Sequence, residues 1–262
     1  MYGDAKIVEF SGRRSATYQD ALATYSNAWR SDIACMARFL DPKRGEKVLE
    51  IGAGNGYFSV AIAELIGADG LLVATDPSVD QLSALEADAE HGNIRVVQAT
   101  AEELDIDCRD FDAVWSRGAI HHVANKTAAF GRLSECVRPG GRMVIADIFA
   151  GTQLARYFDS VIARTCCTGH EVAFLSREFA ESLCALTGWN TPSFHDVTTP
   201  WEFDRREDIG HFLHLLFSAK DGITPDECLD AADRFLSVTL TSSGWALMWP
   251  MTVMTTTRAN FS

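Results

Sequence analysis

The sequence predicts an α/β fold built on a parallel sheet with helices on both faces. Between residues 47 and 147, short continuous apolar runs alternate with segments of helical periodicity. The apolar runs do not alternate with polar residues, as expected for strands buried on both sides. A glycine-rich turn follows the first run, Gly52-Ala53-Gly54-Asn55-Gly56. At 262 residues with 47% hydrophobic content, the chain can bury the core of one elaborated α/β domain.

Residues 1–17 are polar and mixed, and read as a loose arm. Tyr18, Leu22, Tyr25, Trp29, Ile33, Met36 and Leu40 then recur at steps of three and four. They predict an amphipathic helix, or two helices broken near Ser31, stopped by Asp41-Pro42. This N-terminal region, 1–44, is a candidate lid. Tyr18, Tyr25 and Trp29 are its candidate substrate contacts, against the plainer role of packing on a sheet edge.

The first strand is 47–51, and the helix after it runs from near Gly56 to Gly67. The second strand, 71–75, ends in Asp76-Pro77. Ser78 caps the next helix, with Gln81 three residues on completing a capping box. Strands three to five are 94–98, 111–115 and 142–147. A helix over 126–137 and the turn Arg138-Pro139-Gly140-Gly141 precede the last of these.

After Asp147 the rhythm changes. Leu154, Tyr157, Phe158, Val161 and Ile162 mark a helix, with Tyr157 a further candidate substrate contact. Ser176 caps another helix that ends at Gly188. A strand is expected over 194–198, and a helix at Ile209, Phe212, Leu213 and Leu216. Thr224-Pro225-Asp226-Glu227 combines a cap, a first-turn proline and a capping box. The stretch 245–257 reads as a final strand, and Pro250 inside it predicts an edge position or a break. The whole chain, 1–262, reads as a single domain: a binding core at 45–150, completed and capped by 151–262.

The organising stretch is Val48 to Val60. A buried strand, a glycine turn and a helix start make a nucleotide-type binding loop, because bare backbone and free helical N–H groups can meet a ligand directly. A dinucleotide fingerprint needs G-x-G-x-x-G; here Tyr57 takes the sixth position and Gly56 comes one residue early. The Gly-Lys-Ser/Thr ending of a phosphate-binding loop does not follow. Asp76 stands 24 residues after Gly52, where an acid can accept hydrogen bonds from ribose hydroxyls or cap the following helix.

An acid in the strand followed by G-x-G-x-G resembles motif I of class I S-adenosylmethionine (SAM)-dependent methyltransferases. Gln98 to Leu104 is similar to that family's adenine-holding segment. Ala101 and Glu102 match it, whereas Thr100 stands where the family carries an acid. Phe111 to Val123, with Ser116 and the pair His121-His122, resembles motif IV of the small-molecule branch that includes ubiquinone-biosynthesis enzymes. Arg138 to Gly141 is typical of the family before strand five. The resemblance spans about residues 45–150. It implies a Rossmann-like, doubly wound, seven-stranded sheet, mostly parallel with an antiparallel last strand at or near the edge, plus helical lid insertions. It also implies SAM as cofactor, held by Glu50, Gly52, Ala53, Gly54, Gly56, Asp76, Pro77, Thr100, Ala101, Glu102, Ser116 and Arg117. His121 and His122 fall beside the methyl group, as a proton acceptor or as residues that only fix the loop.

The expected activity is methyl transfer to a small, partly apolar organic acceptor. Alternatives are a cyclisation or rearrangement on the same fold without methyl transfer, and a silent partner subunit. Net charge −13 and a pI near 4.9 disfavour nucleic acid and anionic membranes as partners. No apolar run approaches membrane-spanning length, and no signal-peptide pattern opens the chain. Seven cysteines without C-x-x-C spacing suggest reduced thiols in the cytoplasm. His211 and His214 lie three apart with no evident third ligand, so no metal is expected. A monomer and a homodimer fit equally.

Overall fold

The computed structural model describes residues 10–87, 92–106, 109–170 and 172–260. In chain order its elements are α1 (Arg13–Thr24), α2 (Arg30–Leu40), β1 (Lys47–Ile51), α3 (Tyr57–Ile66), β2 (Leu71–Asp76), α4 (Val79–Ala87) and β3 (Ile94–Gln98). Next come β4 (Phe111–Arg117), a 3-10 turn at Ile120–His122, α5 (Lys126–Cys136), β5 (Val137–Asp147) and α6 (Gln153–Tyr157). A π-helical turn, Phe158–Ile162, leads into the single turn α7 (Ala163–Thr165). The rest is α8 (Arg177–Leu186), β6 (Ser193–Phe203), α9 (Arg206–Leu216), α10 (Pro225–Phe235), β7 (Ser237–Thr241) and β8 (Gly244–Thr257).

The sheet order is β3-β2-β1-β4-β5-β8-β6, with β7 paired to β8. The pairs β1–β2, β2–β3, β1–β4 and β4–β5 are parallel, and β8 runs antiparallel to β5. Strand order reverses between β1 and β4, the switch point where open α/β sheets hold their ligands. Val48, Leu49, Leu72, Val73, Ala113, Val114 and Ile145 fill the centre of the sheet and are completely buried, which is why these strands read as unbroken apolar runs.

The chain divides into two compact units. The first holds Met36–Ile148, Val172–Asp196 and Thr252–Ser262; we call it the sheet unit. The second holds Met1–Cys35, Phe149–Glu171 and Val197–Met251, and contains most of the helices that follow β5; we call it the helical unit.

Several expectations are corrected. Residues 1–9 lie outside the described residues, but helix begins at Arg13, inside the expected arm. Arg14 is buried there and donates to the Leu216 carbonyl, so a polar stretch is anchored by a side chain rather than left loose. The helical break falls at 25–29, ahead of Ser31. Residues 138–141 belong to β5, with a register shift opposite Phe111 and Ala113. A Cβ on Gly141 would lie 2.5 Å from Val137 Cγ1 and 3.0 Å from two carbonyl oxygens, so this irregularity demands glycine. Among the described residues the sheet has eight strands, because β7 forms a hairpin with β8 that sequence periodicity does not reveal. β8 is neither broken nor at the edge. Pro250 falls between the stretch paired with β7, 244–248, and the stretch paired with β5, 252–257.

Candidate cofactor site

The glycine turn follows β1 at the switch point. Gly52, Gly54 and Gly56 all have positive φ, at 72°, 56° and 87°, a region open to glycine without steric cost. Gly52 and Ala53 donate to the Thr75 carbonyl at 2.8 and 2.9 Å, which ties the turn to β2. A Cβ on Gly52 would sit 2.2 Å from Ala119 Cβ, and one on Gly56 2.5 Å from Leu85 Cδ1. Gly52 thus lets the turn touch the segment after β4, and Gly56 lets α3 close on α4. Gly54 differs: the nearest atom to its Cβ position is Gln81 Oε1 at 3.9 Å, so the space above its backbone is open.

Asp76 closes the β2 end. Its Oδ2 accepts from the Gly54 N–H at 3.0 Å and its Oδ1 from the Ser78 N–H at 2.9 Å. It thereby pins the glycine loop and holds the turn that leads into α4. Burial raises its pKa, against the lowering effect of the two N–H donors. Each oxygen has a second lone pair for a ligand hydroxyl.

Glu50 faces inward from β1, with Ser59 Oγ donating to Oε2 and Trp115 Nε1 donating to Oε1 at 3.2 Å. Burial pushes its pKa up to about 7, with Asp76 adding to the rise and the two donors opposing it. Both oxygens are bonded within the fold, so this acid braces β1, β4 and α3.

Around the adenine-type segment, Thr100 Oγ1 accepts from the Glu103 N–H at 3.2 Å. Ala101 is buried. Glu102 Oε1 accepts from the N–H groups of Ala124 and Asn125 at 3.0 and 3.1 Å, joining the β3 loop to the start of α5. The Pro77 carbonyl accepts from Gln98 Nε2 at 3.1 Å. Ser116 Oγ donates to the Ile51 carbonyl at 2.9 Å, locking β4 to β1 where the glycine turn begins. The Arg117 guanidinium lies over the Phe58 ring, 4.9 Å from its centroid.

His121 is buried on the 3-10 turn after β4. Its Nδ1 lies 2.6 Å from Asp147 Oδ1, and its backbone N–H donates to Oδ2 at 3.1 Å. The Ile148 N–H also donates to Asp147, at 2.7 Å. Burial alone would raise the Asp147 pKa; His121 and these donors overturn that and hold the carboxyl below its ordinary value. The His122 ring lies 4.1 Å from that of His121, and Phe174 flanks His121 at 5.9 Å.

Two further residues belong here. Asp147 reads in sequence only as the end of a strand, because its pairing with His121 across 26 residues leaves no local signal. Gln81 reads as part of a capping box, and half of that box exists: its N–H donates to Ser78 Oγ at 3.3 Å. The amide makes no return bond. Both Gln81 Nε2 and Oε1 are buried without a partner among the described residues, beside the open face of Gly54. Buried amides normally find partners, and a ligand with donor and acceptor groups on that face would supply them. Open backbone at Gly54, an acid at Asp76 and an unsatisfied amide at Gln81 fit the polar adenosine part of SAM.

The four candidate substrate residues lie in the helical unit. The Tyr25 ring packs 5.8 Å from Phe203 and from Phe212. Trp29 is buried against Trp201 at 5.6 Å, with Tyr18 6.0 Å away. Asp32, also buried there, accepts from Trp201 Nε1 and Thr199 Oγ1. Tyr157 is fully buried, with Phe235 at 5.9 Å and Trp249 at 6.4 Å. Among the described residues, no helix is long and apolar enough to cross a membrane.

Comparison with known proteins agrees with this geometry. Residues 48–141 match a family model described as a methyltransferase domain. A ubiquinone biosynthesis O-methyltransferase of Azorhizobium caulinodans is 34% identical over 114 residues, covering 43% of this chain and 44% of that one. The ubiquinone/menaquinone biosynthesis C-methyltransferase UbiE of Idiomarina loihiensis is 33% identical over 109 residues, covering 40% and 43%. The chain thus spans less than half the length of these relatives. A solved SAM-dependent methyltransferase of Thermotoga maritima superposes with a TM-score of 0.62 over 96% of this chain and 99% of that one, at 16% identity, a likeness of fold. Over residues 48–141 the chain is thus similar to methyltransferase domains, and its strand order is the fold of the solved SAM-dependent methyltransferase.

Proposed function

We propose that the protein transfers a methyl group from SAM to a small organic acceptor by direct in-line displacement. One observation carries the reading. The turn after β1 and the segment after β4 meet at the switch point, Gly52 against Ala119, with Asp76 and the unpartnered Gln81 amide on one side and the His121–Asp147 pair on the other.

SAM, when bound, supplies a methyl group on a positively charged sulfur. Gly52 to Gly56 would carry it on bare backbone. Asp76 would accept from ribose hydroxyls, and Gln81 would pair with a polar group of the adenosine. Ala101 and the loop held by Glu102 would border the adenine; Ser116 and Arg117 line the approach from β4. Displacement needs alignment and exclusion of water more than a covalent intermediate. His121 adds a base. Its Nδ1–H donates to Asp147, which fixes the tautomer and makes Nε2 the basic atom of the ring. That atom can take the proton of a phenol, an amine or an activated carbon as the methyl arrives. His122, whose ring packs against it at a tilt of 41°, restricts the ring's rotation.

The strongly acidic chain favours a small molecule over nucleic acid, and the names of the relatives in ubiquinone biosynthesis favour an aromatic, partly apolar acceptor. A cytoplasmic monomer or homodimer goes with this reading. The test is incubation of the full chain with methyl-labelled SAM and a panel of phenols, quinols, amines and carbon acids, read by mass spectrometry. Labelled product with an equal amount of S-adenosylhomocysteine supports the reading. A converted substrate without added methyl and without S-adenosylhomocysteine overturns it in favour of rearrangement or cyclisation.

A further inference from the structure

The helical unit contains a cavity of about 440 Å³ that shares no residue with the glycine turn. Three segments wall it: the π-helical turn with α7, α9 with the residues after it, and α10. Leu213, Phe217, Ala231 and Phe235 give it an apolar floor. This size and lining suit a small organic molecule.

Three features point to an occupant. First, the π-helical turn contributes Ser160, Val161 and Ile162 to the wall. Single π turns disturb the helical hydrogen-bond ladder and are frequent at functional sites. Second, Tyr157 lines the cavity although its side chain is 99% buried, and its hydroxyl makes no hydrogen bond among the described residues. Burial, with the Cys228 thiol nearby, raises its pKa, so it stays a neutral donor. Third, two guanidinium groups reach the mouth of the cavity in a strongly acidic protein. Arg164 donates to the Ser160 carbonyl and Arg234 to the Asp230 carbonyl, and neither meets a carboxylate among the described residues. Glu227, also at the mouth, is engaged by the N–H and hydroxyl of Thr224 at 2.7 and 3.0 Å.

We propose that this cavity binds an organic acid with an apolar body. The hydrocarbon or aromatic part lies on Leu213, Phe217 and Phe235, Tyr157 Oη donates to an oxygen of the ligand, and Arg164 and Arg234 pair with its anionic head. The site stands on the helical unit alone and does not rest on the methyl-transfer reading.

The test uses the full chain and two fluorescent probes, anionic 8-anilinonaphthalene-1-sulfonate and neutral N-phenyl-1-naphthylamine. The anionic probe binds one per chain. The double variant Arg164→Gln, Arg234→Gln weakens it about tenfold, the usual scale for losing charged hydrogen bonds, and leaves the neutral probe within about twofold. Ala231→Phe, which fills the floor, removes both at unchanged circular dichroism. Both arginines are exposed, so their replacement keeps the test valid if the core variant fails to fold. Unchanged anionic binding in the arginine double variant overturns the proposal, as does displacement of the probe by S-adenosylhomocysteine.

Discussion

Glu50 sits inside β1 with 2% of its surface exposed, and burial lifts its pKa from the ordinary 4.5 to about 7. Between those values the folded chain holds a proton that the unfolded chain has released. Stability therefore falls as pH rises through this window, the reverse of a salt-bridged acid. At about 1.4 kcal/mol per pH unit the full effect is about 3 kcal/mol. Glu50→Gln removes the titration. The amide oxygen still accepts from Trp115 Nε1, and the amide N–H can donate to Ser59 Oγ, whose hydroxyl need only rotate. The assay is urea unfolding of both proteins at pH 5, 6, 7 and 8, followed by tryptophan fluorescence. Other groups titrate in both proteins and cancel in the difference. The stability of wild type minus variant should drop by about 2.5 kcal/mol from pH 5 to pH 8, most of the full effect. A difference that stays flat, or grows with pH, refutes the placement of a buried, mostly protonated acid at this position.

The glycine turn makes a paired prediction. Gly52→Ala meets Ala119 at 2.2 Å and should lose about 2–4 kcal/mol, combining left-handed strain with overpacking. Gly54→Ala meets nothing closer than 3.9 Å and should lose only the backbone cost of about 1–2 kcal/mol, yet weaken S-adenosylhomocysteine about tenfold by calorimetry, since its methyl occupies the ligand's space. Equal binding by Gly54→Ala and wild type would remove the loop from the ligand. Gln81→Leu should leave stability unchanged or raised, because it deletes two unsatisfied buried atoms, while S-adenosylhomocysteine binding weakens about tenfold; the opposite pattern makes Gln81 a purely structural residue. Asp147→Asn should keep that affinity within about twofold but lower the transfer rate by about 10²–10⁴, with an altered pH–rate profile. It releases the tautomer of His121, and an unchanged profile would leave His121 without a base role.

Local chemistry was legible wherever it was written in neighbouring residues. The helix starts at Ser176 and Thr224 show the expected caps, and Thr224–Glu227 forms its reciprocal box. β1 and β3 keep the bounds their apolar runs suggested. What escaped depends on distant partners. β7 carries Thr239, Leu240 and Thr241 on a largely exposed ribbon, so no burial pattern marked it, and only pairing with β8 makes it a strand. Pro250 suggests an edge, because a proline cannot donate to a ladder, but it falls where β8 passes from pairing with β7 to pairing with β5. Asp147 and Gln81 were hidden for the same reason. The first is defined by a histidine 26 residues away and the second by the bonds it lacks.

On the function proposed above, the turn from Gly52 to Gly56 seats SAM rather than a dinucleotide. Isothermal titration of the full chain with S-adenosylhomocysteine and, separately, with NAD tests it most directly. Saturable binding of one S-adenosylhomocysteine per chain is expected, competed by SAM and weakened by Gly54→Ala, with no heat from NAD. Binding of NAD, or no binding of S-adenosylhomocysteine by a folded chain, would contradict it.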